Sequence, residues 1–359
     1  MINSCVVLFM SAIMTGIIFK RSKIFTAYIY IVMVILAAYR TASADFSNYV
    51  FEYNNINVGL KGGRYIGFSS IEYLFSKILK LPFEKYLILF YIITFGILII
   101  SIRVITKNVN IVLALYLIFS FGIDAVQMKS LLADSLSLLS ISLLWMYLYS
   151  KQRKNVLYII ASFFIILVAA LIHFSVVYYI ISSILILINY NKENIGRKMF
   201  WRFIICLILI YNGFLAFIIR FANKIGMLND VQYLNSWMSK KTSLGWLVYA
   251  LAILSVIIVA FFLNKIDIKG KFIKIYIMTS IFLIPLIILN GAYFRLMRIY
   301  YILIYAFVAE YKFKRRICLK ELIGYVILAL SMMLAYKIEI YPVYDNTLGA
   351  LFMNNSLFK

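Results

Sequence analysis

VLYIIASFFIILVAALIHFSVVYYIISSILILIN, residues Val156–Asn189, is the stretch that decides the fold. As one straight helix it would run about 50 Å at about 1.5 Å per residue, against a hydrocarbon layer of about 30 Å. The chain must therefore turn back within it. The polar interruption near its middle is His173-Phe174-Ser175, and basic clusters flank both ends: Lys151, Arg153 and Lys154 before, Lys192, Arg197 and Lys198 after. Two crossings joined at His173 satisfy both the length and the charge pattern. With the basic flanks in the cytoplasm, His173 marks the tip of an extracytoplasmic hairpin.

The rest of the chain reads the same way. Hydrophobic residues make up 65% and charged ones 14%, where a globular domain is roughly half apolar and a quarter charged, so lipid is the solvent. Apolar runs predict about twelve spans, beginning near Ile2, Ile24, Tyr86, Val109, Ala125, Val156, Phe174, Phe200, Leu244, Phe272, Ala292 and Lys320. The first run has neither the basic lead nor the small-residue cleavage site of a signal peptide and reads as a retained span. The expected fold is an all-α polytopic transmembrane helix bundle. It forms one multi-span domain over 1–359, without internal repeats. Two longer extracytoplasmic loops are expected, 40–85 and 220–243.

The net charge of +23 sits mostly in short loops between apolar runs, where it anchors topology rather than binding nucleic acid. The acidic residues are biased to the opposite side, and both termini fall outside. Cys5, Cys206 and Cys318 have neither metal-ligand nor disulfide spacing.

The polar residues gather on the extracytoplasmic side. Arg40 and Asp45 open the first loop, with Tyr49 and Tyr53 following Asp45 at helical spacing. They read either as an interfacial Arg–Asp pair with belt tyrosines or as a binding face. Ser69-Ser70-Ile71-Glu72 matches a capping box, with Phe68 and Tyr73 as its hydrophobic staple. Ile71, Leu74, Phe75, Ile78 and Leu79 form an apolar stripe, which predicts an interfacial amphipathic helix near 70–80 with Glu72 as its cap.

Asp124 and Gln127 read as caps of a span starting at Ala125. Lys129 and Asp134 lie beyond them, with Asp134 sharing a face with Ser130 and Ser137. Ionisable groups at that depth point to a wet cavity or a partner. His173 is the single histidine, which excludes a multi-histidine metal site. Arg295 and Arg298, three apart, serve either as helix anchors or as a phosphate clamp. Cations from three segments, carboxylates and one histidine on one side suit a phosphate-bearing lipid substrate.

In these residues the chain resembles the EpsG/Wzy-like family of bacterial exopolysaccharide and capsule repeat-unit polymerases. The matching motifs are Arg40 with Asp45-Phe-Ser-Asn-Tyr49, Gly67-Phe-Ser-Ser-Ile-Glu72, Gln127-Met-Lys-Ser-Leu-Leu-Ala133 and Ile172-His-Phe-Ser175. Asp230-Val-Gln-Tyr233, Arg295 to Arg298 and Tyr341-Pro-Val-Tyr344 follow in order. One departure is Lys129, where the family typically has Arg: the charge is kept and the guanidinium fork is lost.

The resemblance implies a polysaccharide polymerase, a glycosyltransferase of the bacterial cytoplasmic membrane. It would join undecaprenyl-diphosphate-linked oligosaccharide repeat units at the extracytoplasmic face. Arg40, Lys129, Arg295 and Arg298 would bind the diphosphate, with Gln127, Tyr49, Asp134 and Glu72 around it, and His173 or Asp45 would act as base. No metal or other cofactor is expected, although the outer carboxylates have the chemistry to hold a divalent ion. The partners implied are the lipid-linked oligosaccharide and the bilayer, with a flippase and a chain-length regulator as protein partners. The competing readings are a lipid-linked oligosaccharide flippase, which should show repeated halves and midplane ligands, and a membrane polymer ligase or acyltransferase.

Overall fold

The computed structural model describes residues 4–43, 45–56, 65–149, 155–189, 245–262, 268–289, 291–310 and 348–358, with short pieces at 323, 326–327, 329–330 and 333–334. The expected spans near Phe200 and Lys320, the 220–243 loop, Cys206, Cys318, and the basic clusters flanking Val156–Asn189 lie outside these residues. So do the Asp230 and Tyr341 motifs.

Every regular element among the described residues is helical, apart from one isolated bridge between Arg40 and Asn355. The chain divides into two compact units. The first comprises 1–180, 301–312 and 336–359, and the second 181–300 and 313–335.

In the first unit, α1 (Ser4–Ile18) and α2 (Lys23–Ala38) pack against each other across a short turn. The Ser22 hydroxyl caps α2 by accepting from Phe25 N–H at 3.5 Å. After the 40–82 segment come α5 (Phe83–Ile105), α6 (Val109–Phe119), the short α7 (Phe121–Val126), α8 (Met128–Tyr149) and α9 (Val156–Ile172); α3 and α4 lie within the segment and are described with the site. Helix α8 is the centre of the unit, packed on α5 and α9. Three of its serines bond locally or across the interface: Ser137 bonds back to Ala133 O at 2.8 Å, Ser142 to Leu139 O at 2.7 Å, and Ser140 meets Ser162 of α9 at 2.8 Å. Small residues let helices approach closely. A Cβ on Gly16 of α1 would lie 2.6 Å from Asn110 O and 2.8 Å from Ala114 Cβ of α6, so glycine sets that contact.

Outward faces are apolar. Helix α9 exposes Val156, Leu157, Ile160, Phe164, Leu167 and Leu171 at three- and four-residue steps while burying Ser162, Ile166, Ala169 and Ile172. Helix α1 likewise exposes Val7, Met10, Met14, Ile17 and Ile18. A soluble surface rarely carries such stripes, whereas hydrocarbon solvates them.

Two helices, Phe83–Ile105 and Met128–Tyr149, have the length and apolarity to cross a membrane, and the other apolar helices contribute described stretches of 10–17 residues. Of the about twelve expected spans, two are helices of membrane length among the described residues. The shorter ones are cut by polar breaks. Val109–Phe119 ends at Ser120, α7 ends at Gln127, and Val156–Ile172 ends at His173, whose φ of −151° and ψ of 109° are extended. The span placed at Ala125 begins at Met128 instead.

The second unit holds most of α10 (Tyr178–Asn189), which follows a 3-10 turn at Phe174–Val177. It also holds α11 (Gly245–Phe262), α12 (Ile268–Thr279), α13 (Leu283–Leu289) and the start of α14 (Met297–Glu310). The Tyr300 hydroxyl ties it together, lying 3.0 Å from both Ser182 Oγ and Thr279 Oγ1.

Candidate functional site

The site of the first unit forms where α2 ends and α5 and α8 begin. Two short helices of the 40–82 segment cover it: α3 (Phe46–Asn54) and α4 (Ile66–Tyr73), the latter continued by a π turn at Leu74–Ile78.

Helix α4 starts at Ile66, three residues before the expected capping box. Its Tyr65 N-cap makes no side-chain cap bond, and the Ser70 hydroxyl donates back to Ile66 O at 2.7 Å. The capping-box reading of Glu72 is therefore wrong. The helix rotates Glu72 inward, where it is 1% exposed, and Phe68 to full burial, leaving Tyr73 outside and the expected staple unmade. Leu74, Ile78 and Leu79 stay exposed, as an amphipathic element at an apolar boundary requires. Gly67 permits this seating: a Cβ there would lie 2.9 Å from the Leu171 carbonyl carbon and 3.0 Å from its Cβ. The contact brings Tyr65 against His173, with rings 5.1 Å apart and 13° from parallel. His173 Nδ1 in turn meets Ser175 Oγ at 2.5 Å.

Lys129, in the first turn of α8, occupies an aromatic box. Its Nζ lies 5.4 Å from the centroids of Tyr49 and Tyr65 and 5.3 Å from that of Phe68, within cation–π range. Its ammonium donates to Glu52 Oε2 at 2.7 Å. Burial, and secondly the charge of Asp45, hold the proton on the Tyr49 hydroxyl. Burial pushes the Glu72 carboxyl up to about 8; Lys129 opposes that rise and Glu52 adds to it. Glu72 Oε1 has no hydrogen-bond partner among the described residues. Tyr53, stacked on Tyr86 at 4.7 Å, is pushed up to about 12 by burial, then by Glu72 and Glu84.

Arg40 stands beside this box. It is 2% exposed, donates from Nη1 to Ala37 O at 2.8 Å and to the Tyr91 hydroxyl, and reaches Ser43 Oγ from Nε at 3.4 Å. Its guanidinium lies over the rings of Tyr91 and Phe46, and Nη2 has no partner among the described residues. The Tyr91 hydroxyl passes the contact on to Ala125 O at 2.6 Å. No Arg40–Asp45 ion pair forms. Asp45 is the residue before α3, and its side chain makes no cap bond.

Nor do Asp124 and Gln127 cap α8 as expected. Asp124 is buried inside α7. Gln127 is the break between helices, its carbonyl accepting from Leu131 N–H at 2.9 Å, and its Oε1 lacks a partner among the described residues. Asp134 lies half-buried about a turn and a half further along α8. Arg295 lies in the last turn of a 3-10 helix, Gly291–Leu296, in the second unit, half-buried, and Arg298 is buried in the first turn of α14.

The structure thus gathers Arg40, Tyr49, Glu72, Lys129 and, through Tyr65, His173, from segments far apart in sequence. Among the described residues no three His, Cys, Asp or Glu side chains form a metal-binding group. Sequence reading missed Glu52, Tyr65 and Phe68. Glu52 stands three residues after Tyr49, on the same side of α3, but its partner Lys129 lies in a distant segment. Tyr65 had no legible signal, because only the close approach at Gly67 brings it to Lys129.

The family model described as the EpsG family matches residues 5–352. The chain belongs to the EpsG family. That match takes in every residue of the box and both arginines of the second unit. EpsG proteins are associated with polysaccharide-polymerase-like function and membranes, which agrees with the apolar outer faces of α1 and α9. No curated protein and no solved structure matches the chain.

Proposed function

We propose that this chain is an oligosaccharide repeat-unit polymerase of the bacterial cytoplasmic membrane, working at the extracytoplasmic face. It transfers a growing glycan from its undecaprenyl diphosphate carrier to the end sugar of another lipid-linked repeat unit. The observation that carries the reading is the convergence of Lys129, Arg40 and Glu72 with the His173–Tyr65 stack at one end of the first unit, beside buried polar atoms that lack partners among the described residues. Buried polar atoms are ordinarily paired, so such a cluster suits a polar ligand.

In this reading the acceptor hydroxyl attacks the anomeric carbon and passes its proton to His173 or Asp45. The bond from the anomeric carbon to the diphosphate oxygen breaks, and the electron pair leaves with the diphosphate. Lys129 and Arg40 stabilise that developing charge in a site of low dielectric. Rings of Tyr49 and Tyr65 offer flat apolar faces beside the polar groups, as sugars require. The reading uses no metal; loss of activity on chelation with recovery on adding one divalent ion would overturn that part.

The test is to reconstitute purified protein in vesicles with lipid-linked repeat units and no nucleotide sugar, then resolve glycan length. A ladder of lengthened glycans is expected. Single units that change leaflet without lengthening would overturn the polymerase reading in favour of a flippase.

A further inference from the structure

Lys129 is held by two kinds of partner that differ in how easily they leave. The three rings belong to Tyr49, 6% exposed, Phe68, 0% exposed, and Tyr65, pinned against His173. They fix the ammonium from the sides. Glu52 is different: its side chain is 44% exposed while that of Lys129 is 18% exposed, and it sits near the end of a nine-residue helix. Among the described residues Lys129 is the only polar partner of its carboxylate. Glu72 is the opposite case, buried on a helix locked against Leu171 by Gly67.

We propose that Glu52 is a displaceable counter-ion, a specificity-determining residue that occupies the place of a substrate phosphate at Lys129 and swings out when a diphosphate arrives. The inference rests on the reading of Lys129 as a diphosphate ligand. A carboxylate and a phosphate oxygen both accept a charge-assisted hydrogen bond from an ammonium. A diphosphate brings more negative charge to Lys129 and reaches towards Arg40 Nη2, whereas an ion pair as exposed as this one contributes little by itself. The exchange breaks one N–H···O contact and forms another, with no change in protonation. Ligands without the charge to compete are left outside, so Glu52 filters neutral glycans from diphosphate-linked ones and keeps the ammonium neutralised between turnovers.

The experiment measures binding of two probes to purified full-length protein in detergent, inorganic pyrophosphate and farnesyl diphosphate, for wild type, Glu52→Gln, Lys129→Gln and the double variant. Glu52→Gln should tighten binding about fivefold, the scale of one exposed ion pair. Lys129→Gln should weaken it. The double variant should match Lys129→Gln alone, because Glu52 acts only through that ammonium. Tightening for both probes assigns the effect to the phosphates, and tightening for farnesyl diphosphate alone assigns it to a lipid headgroup presented at the membrane. Unchanged or weaker binding in Glu52→Gln, while Lys129→Gln still weakens it, overturns the counter-ion role and leaves the diphosphate reading standing. Binding unchanged in Lys129→Gln overturns the diphosphate reading itself. Should Glu52→Gln fail to fold, Glu52→Asp, which withdraws the carboxylate by one methylene, is expected to tighten binding in the same direction, and no change would count equally against the proposal.

Discussion

The two ends of the first unit treat buried polarity in opposite ways. At the end where α5 stops and α6 starts, the inward polar side chains Thr106, Asn108 and Asn110 find partners. Asn110, fully buried, donates from Nδ2 to Phe19 O at 2.5 Å and Ser22 O at 3.0 Å and accepts from Thr26 at 2.5 Å. Asn108 accepts from Arg21 Nε at 2.7 Å and donates to Ala309 O at 2.6 Å, and Glu310 accepts from Thr106 Oγ1 at 2.7 Å. At the other end, Arg40 Nη2, Glu72 Oε1 and Gln127 Oε1 are buried without partners among the described residues. A satisfied network fixes helices in register; buried groups left unpaired are costly and persist where a ligand completes them. The paired end fixes the helices, and the proposed site lies at the other.

Substitutions that break this contrast should do so in a definite order. Removing the imidazole with His173→Ala is expected to slow elongation about 100-fold or more, the usual contribution of a general base, with the folded fraction unchanged. Elongation rate per folded molecule measures it, and a wild-type rate would remove His173 from the site. Gly67→Ala forces α4 off Leu171, an overpacking of about 1–3 kcal/mol, and should separate Tyr65 from His173 and Lys129. Elongation should then fall about tenfold, and an unaltered rate would mean that the close approach serves packing alone.

Glu72→Gln sharpens the contrast through pH. The folded protein holds this proton more tightly than the unfolded chain, because burial lifts the carboxyl from 4.5 to about 8. The associated stability is complete below about 4.5 and is lost as pH rises through about 8. Thermal unfolding of the wild type should therefore decline across that window, and Glu72→Gln should flatten the decline. A parallel decline in the variant would assign the pH dependence elsewhere. The smallest effect is expected for Lys129→Arg, since the box holds a point charge against one carboxylate oxygen. Elongation should stay within about fivefold of wild type; complete loss would show that the box is fitted to an ammonium alone.

Much of this was legible in the residues. Apolar runs located the helices, and the length of Val156–Asn189 located the break at His173. Arg40, Tyr49, Lys129 and His173 were picked out as polar exceptions in an apolar chain. What the sequence hid was rotation. Ser69-Ser70-Ile71-Glu72 has the spacing of a cap, but Ile66, Gly67 and Phe68 already propagate the helix, so the same four residues fall in its middle and Glu72 turns inward. Glu52 was hidden because its partner, Lys129, lies in a distant segment. Pairing across such a distance leaves no periodicity to read.

The division between a working end and a structural end is tested most directly by comparing Lys129→Gln with Asn110→Ala in one reconstituted elongation assay, with thermal unfolding followed alongside. Lys129→Gln is predicted to lose at least about 100-fold in elongation while unfolding at the wild-type temperature. Asn110→Ala should lose about 2–3 kcal/mol of stability while elongating normally per folded molecule. The reverse pattern, normal elongation in Lys129→Gln and a catalytic loss in stable Asn110→Ala, would contradict the account.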